Sequence, residues 1–303
     1  VQSSRSVPRQ AVPRQAVLVV NAHSRKGRDL FGRAERLLRD KGIDLLAAHA
    51  VRDPSRMGEI VDKAVADGAP MVIVGGGDGS LSSTIDHLVG HDCVFALLPL
   101  GTANSFARTL GIPLDLEGAV ETIASGRRRR IDLGRVNGDY YANCAALGLA
   151  PMIGDSVPHN LKRHLGRVGY FVWALWCLAR FRAFRLTIRE GGREETIWAT
   201  EVRIANGGFH GGVELVEEAE VDSGEIVVQA VVGRSTLGLV WDWFSKYFKL
   251  PARQAMTREF HARRLTLETR PSLPISVDGE VLTRTPAEVE VAGCAVDVVV
   301  PRP

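Results

Sequence analysis

The chain has little of several things that would settle its class at once. It carries four cysteines in 303 residues, Cys93, Cys144, Cys177 and Cys294, and none stands in a CxxC pair or another metal-ligand spacing. A disulfide framework is not expected, and cysteines scattered in this way read as small core residues in a reducing compartment. The eight histidines show no HExxH spacing, so solvated or core roles are expected of them. A net charge of +3 is too small to argue for nucleic acid as a partner. The first fifteen residues hold no apolar stretch, and no signal peptide is read there. The longest apolar run, Tyr170 to Ala179, falls well short of the ~20 residues that span a bilayer. A cytoplasmic protein, soluble or peripheral to a membrane, is the expectation.

What is present is a change of pattern along the chain. Residues 1–15 are rich in Ser, Arg and Pro, repeat Val-Pro-Arg-Gln at 7 and 12, and predict a disordered tail. From Ala16, short apolar runs alternate with helical spacing. Strands are expected at 16–21, 45–51, 70–77 and 93–101, and helices at 28–41, 57–68, 80–89 and near 103–110. Repeated β-α units imply a parallel sheet covered by helices. After Arg127–Arg130 the segments become alternating or β-branched, as in FRLTIRE, GEIVVQAVV and AEVEVAGCAVDVVV, which predicts a mostly antiparallel β domain. The domains expected are therefore an α/β nucleotide-binding one over 16–130 and a β-rich one over 131–303, whose end packs back on the first. The four arginines read as a solvated link before a strand.

The chemistry concentrates in two loops. Gly75, Gly76, Gly77, Asp78, Gly79 and Ser80 follow a strand and open a helix, so bare backbone N–H groups and a helix N-terminus can meet phosphate oxygens. The run is neither a Walker A motif nor GxGxxG, and it holds more glycine than a tight turn requires. A second loop, Pro99-Leu-Gly-Thr-Ala-Asn-Ser-Phe-Ala-Arg108, follows the next strand. Ligands gather beyond the carboxyl ends of parallel strands, which makes one nucleotide site the simplest account of both.

The pairing of GGGDGS with PLGTANSFAR resembles the catalytic domain of bacterial diacylglycerol kinases, shared with sphingoid-base and ceramide kinases. The resemblance extends through IDLGRVNGDYYANCAALGL (131–149), the basic aromatic stretch 161–188, IANGGFHGG (204–212) and SVDGE (276–280). It implies an NAD-kinase-like α/β domain, a β-sandwich lipid-binding domain, and ATP in the cleft. It further implies that Gly75, Gly76, Gly77, Asp78, Gly79 and Ser80 contact the phosphates, with Thr102 and Asn104 completing the pocket. Asn21 matches the start of the family's NPxSG loop, whose remainder departs here and leaves Ser24, Arg25 and Lys26 as candidate phosphate contacts.

A lipid hydroxyl needs a proton acceptor, and the moving phosphoryl group needs cations, normally Mg²⁺. Asp-Gly is also the commonest hairpin turn. In similar kinases, however, the DGE carboxylates face the cleft, so Glu280 and Asp278 are the expected catalytic pair and Asp78 the residue placing Mg²⁺–ATP. Which carboxylate is the base stays open. Two departures bear on metal: Ser105 stands where the family usually has Asp, and Val221-Asp222-Ser223-Gly224 shifts an Asp that often precedes Gly, leaving Asp222 as the candidate for a second ion. Trp and Tyr beside Arg and Lys in 170–176 and 239–248 suit a lipid headgroup region as well as a core. The expected activity is phosphate transfer from ATP to a membrane lipid, diacylglycerol first and ceramide or a sphingoid base second, on the inner membrane face; an oligomer is compatible. An NAD kinase should carry an Asn-Glu pair and a second Gly/Thr/Ser-rich loop, neither of which is found. A degenerate, non-catalytic lipid- or nucleotide-binding module is opposed by the intact GGGDG, PLGT and DGE motifs.

Overall fold

The computed structural model describes residues 11–23, 25–156, 173, 176–235, 238, 239, 241 and 257–303. The chain divides into two compact units, the first holding residues up to Ile131 together with Cys294–Pro303, the second Asp132–Gly293.

In the first unit the order is β1 (Gln15–Asn21), α1 (Arg25–Asp40), β2 (Asp44–Val51), α2 (Met57–Ala66), β3 (Met71–Gly76), α3 (Asp78–Ile85), β4 (Val94–Pro99), α4 (Ser105–Thr109) and α5 (Leu116–Ser125). β5 (Arg127–Val136) then leads into the second unit. The sheet runs β2-β1-β3-β4, all parallel. The apolar runs of β1, β3 and β4 are buried almost throughout, as strands covered on both faces must be. Because β1 connects to β2 on one side and β3 to β4 on the other, connections leave in opposite directions between β1 and β3. That is the switch point of an open α/β sheet, where a crevice forms beyond the strand ends.

Four expectations need correction. Gln15 already belongs to β1, and the Arg14 carbonyl accepts the Asp44 amide at 2.7 Å, so the end of the expected tail is tied to the sheet. The four arginines open β5 itself; Arg128 is bonded to Asp297 at 2.7 Å, which a solvated link would not be. The helix expected over 80–89 begins at Asp78 and gives way to a 3-10 turn at Asp86–Leu88. Helix α5 lies where no helix was expected, behind Gly111 and Pro113; Asp115 caps it by accepting the Gly118 amide at 2.7 Å.

The second unit is an antiparallel, sandwich-like β structure. It comprises β6 (Asp139–Tyr141), β7 (Cys144–Gly148), α6 (Leu149–Ser156), β8 (Phe184–Glu190), β9 (Arg193–Ala205), the short β10 (Phe209–His210) and β11 (Val213–Glu214), and β12 (Ile226–Val232). β13 (Thr257–Ala262), β14 (Arg264–Arg270), β15 (Pro274–Val277), β16 (Glu280–Arg284) and β17 (Ala287–Val300) complete it. The central β9 pairs with β8 through its first half and with β7 and β12 through its second. Tyr141, Leu147, Phe184, Leu186, Val202, Ile204, Val228, Leu267 and Ile275 meet in one core, each large side chain contributing about 1.5–3 kcal/mol. β17 begins in this unit against β14, and its last residues pair with β4 in the first. Among the described residues no helix is long and apolar enough to cross a membrane.

Candidate active site

In the first unit the fold brings the ends of β1, β3 and β4 together. Asn21, the last residue of β1, donates its side-chain amide to Ser80 Oγ at 2.8 Å, and its Oδ1 accepts the His23 amide at 3.1 Å. The two glycine-bearing loops cross in contact, since a Cβ on Gly101 would stand 2.5 Å from Gly77 Cα; within the first loop, one on Gly76 would stand 2.4 Å from Ser80 Cβ. Gly27, in the first turn of α1, is as constrained, since its Cβ would meet the Asn21 carbonyl at 2.2 Å. These glycines are required by packing. Gly79 is different: it is exposed, it has no positive φ, and a Cβ there would meet nothing within 4 Å. Among the described residues, then, packing does not require the bare backbone of Gly79.

The second loop is organised by one side chain. Asn104, in the left-handed region with φ 48, accepts the Gly101 amide at 2.9 Å and donates to the Gly101 carbonyl at 3.1 Å. Asn and Asp tolerate that conformation better than other non-glycine residues. Asp78, half-buried at the start of α3, accepts the Phe106 amide at 3.3 Å and so ties the glycine loop to α4. Thr102 is exposed on this loop and Ser105 is buried beneath it. Asn21, Gly75, Gly76, Gly77, Asp78, Ser80 and Asn104 therefore share one locality. Ser24 lies outside the described residues, as do the side chains of Arg25 and Lys26.

Mg²⁺ is usually held by one or two carboxylates together with the phosphates it accompanies. A single half-buried carboxylate, anchored through one oxygen at the mouth of two glycine loops, fits that requirement.

In the second unit, Val277 pairs with Glu280 and leaves Asp278-Gly279 as a two-residue hairpin loop. Both residues have positive φ, 45 and 102, as the favoured hairpin turn demands. The Asp278 carboxylate does more than turn the chain. It accepts the amides of Ala142 at 3.0 Å, Asn143 at 3.4 Å and Cys144 at 3.1 Å, while its own amide donates to the Cys144 carbonyl at 3.1 Å. Burial, with Asp278 adding to it, pushes the Cys144 thiol up to about 12. Burial likewise raises the Tyr141 phenol well above its usual value, with Cys144 and Asp278 adding to it. Neither group is charged near neutral pH. Glu280 opens β16, but its side chain lies outside the described residues.

Asp222 sits exposed on the turn before β12. The buried carboxylate that organises this turn is Asp132, whose Oδ2 accepts the Gly224 amide at 2.7 Å. The three side chains that could share an ion among the described residues are Glu218, Glu259 and His261, all exposed, and Asp222 is not one of them. Asp132, Asn143, Asn206 and Gly27 were not singled out from sequence. The resemblance covers Asp132, Asn143 and Asn206 in 131–149 and IANGGFHGG without giving them a role, and a buried Asn just beyond an apolar strand is the local signal for Asn206. Most of the two aromatic stretches, 170–176 and 239–248, lies outside the described residues; of their tryptophans, Trp173 packs partly buried while Trp176 and Trp241 are exposed.

Residues 15–136 match the diacylglycerol kinase catalytic domain, and residues 146–300 match the YegS C-terminal NAD kinase beta sandwich-like domain. A protein of Klebsiella pneumoniae (strain 342) named "Probable lipid kinase YegS-like" is 32% identical over 74% of this chain and 81% of its own length. A protein of the same name from Shewanella frigidimarina is 29% identical over 87% of each chain. In fold, a crystal structure from Bacillus anthracis str. Sterne aligns with a TM-score of 0.79 at 22% identity, covering 96% of this chain and 99% of that one. A diacylglycerol kinase of the same strain aligns at 0.75 and 19% identity, covering 95% and 97%.

Proposed function

Since the chain belongs to the diacylglycerol kinase and YegS-like family of lipid kinases, we propose that it transfers the γ-phosphate of ATP to the free hydroxyl of diacylglycerol. The observation that carries this reading is the crossing of two glycine loops next to the sheet's switch point, beside an anchored carboxylate. Phosphoryl transfer asks mainly for positioning and charge stabilisation. Backbone amides at Gly77–Ser80 and the N-terminus of α3 would receive the phosphate oxygens. Asp78 would hold Mg²⁺, which when bound offsets the charge on the β- and γ-phosphates. The Asp278–Glu280 hairpin supplies the carboxylates that orient the acceptor hydroxyl and take its proton.

A membrane-borne acceptor is supported by surface chemistry of the second unit. The Arg180 guanidinium lies 4.4 Å over the Trp176 ring, and Arg234 lies 4.4 Å over Trp198; both tryptophans are exposed. Indole rings paired with cations suit the headgroup layer of an anionic bilayer, so the protein is read as peripheral at the inner membrane face. The test is incubation with labelled ATP and Mg²⁺ over mixed micelles of diacylglycerol, ceramide, sphingosine or polyprenol, with NAD as a further arm. Label in phosphatidic acid supports the reading. Label only in another arm reassigns the acceptor, and no labelled product in any arm overturns it.

A further inference from the structure

The hairpin carboxylate is held by a strip of backbone that is itself held from behind. All three amides that grip Asp278 belong to Ala142, Asn143 and Cys144. The carbonyl side of the same strip is bonded to the segment after β9. Asn206 donates its side-chain amide to the Ala142 carbonyl at 2.8 Å and to the Asp132 carbonyl at 2.9 Å. The backbone amides of Asn206 and Gly207 both donate to the Asn143 carbonyl, at 2.9 and 2.8 Å. Asn143 closes the arrangement by donating its side-chain amide to the Phe209 carbonyl. Each peptide of this two-residue connection therefore faces Asp278 with its N–H and the Asn206–Phe209 segment with its carbonyl.

A neutral amide NH₂ carries two donors and so satisfies two buried carbonyl oxygens without burying a charge. Asn206 is 1% exposed, and among the described residues its buried Oδ1 has no hydrogen-bond partner. Its two donated bonds tie the Ala142 peptide to Asp132, so the residue sets where the strip lies. The geometry points to Asn206 and Asn143 as positioning residues for the acidic hairpin. They fix the Ala142–Cys144 strip, the strip fixes the Asp278 carboxylate, and the turn fixes where β16 and Glu280 begin. This rests on the hairpin being the proton-accepting site.

The test compares Asn206→Ser, which keeps one donor, with Asn206→Ala, which keeps none, alongside Asn143→Ser. Misplacing a reacting group by about an ångström costs on the order of a hundredfold in rate. kcat should fall about tenfold for the serine variant and about a hundredfold for the alanine variant, with KM for ATP within about twofold of the parent. Thr200→Val removes a different buried bond of this unit, Thr200 Oγ1 to the Val231 carbonyl at 3.3 Å. It should lower Tm while leaving kcat per folded molecule unchanged. Asparagine variants that behave like Thr200→Val would overturn the proposal. Should Asn206→Ala fail to fold, Asn206→Ser and Asn143→Ser decide by the same criterion. Asp278→Asn, assayed beside them, separates two failures. If it turns over like the parent, the hairpin reading itself fails; if it is inactive while the asparagine variants are not, only the positioning role is lost.

Discussion

The glycine loops of the first unit and the acidic hairpin of the second both present polar groups, but they are built in opposite ways. The loops work through bare backbone: Gly77 and Gly101 let chain pass against chain, Gly76 leaves room for the Ser80 side chain, and Gly79 leaves a helix start open. The hairpin works through a side chain gripped by backbone from residues more than 130 positions away. Backbone that must come close to something can be only glycine, so the first device is written in a few adjacent letters. A carboxylate cradled by remote amides can be served by almost any sequence there, so the second leaves no such trace.

Substitutions can break this comparison from either side. The largest effect is expected at Asp78→Ala, which removes both the link to the Phe106 amide and the candidate metal ligand. Turnover should fall by about a thousandfold, as for loss of a main electrostatic stabiliser, with the circular dichroism spectrum retained; parent-like activity would take the loop out of the mechanism. Next, Glu280→Gln should lower kcat by about a hundredfold while KM for ATP stays within about twofold. Equal loss in both would make the hairpin a structural turn.

A matched pair of glycine variants sharpens the comparison further. Gly79→Ala adds helix propensity worth up to ~1 kcal/mol, so Tm should hold or rise while KM for ATP rises about tenfold. Gly101→Ala forces a Cβ to within 2.5 Å of Gly77 Cα, and should cost ~1–3 kcal/mol of stability, read as a lower Tm. If both lose only stability, Gly79 has no ligand to explain it. The smallest effect concerns thiols. Burial pushes Cys93 up to about 11 and Cys144 up to about 12, so both stay protonated at pH 8, whereas Cys294 is exposed. Alkylation of the native protein, followed by peptide mapping, should label Cys294 ahead of the other two and leave activity unchanged.

Much of the first unit could be read in advance because β1, β3 and β4 are buried on both faces and so appear as unbroken apolar runs, such as MVIVGG and VFALLP. Helix α5 escaped because Gly111 and Pro113 mask its start, although Asp115 is an ordinary N-cap. The Arg127–Arg130 run misleads because charge usually means solvent; Asp297 on β17, 169 residues after Arg128, partners both Arg128 and Arg130. No role for Asn206 and Asn143 is legible in the stretches that hold them, for the same reason, since their partners lie 63 to 74 positions away in most cases.

By itself the sequence determined the βα alternation, the antiparallel character of the later half, the two glycine loops and the family, since each follows from local sterics or from spacing along the chain. Only the tertiary structure decided which glycines serve packing and which one is left open. It alone showed that Asp278 is anchored by three amides, and that two buried asparagines hold those amides. Hydrogen bonds across long sequence separations depend on which chain segments become neighbours, and that is settled by the sheet register and not by any short stretch of residues.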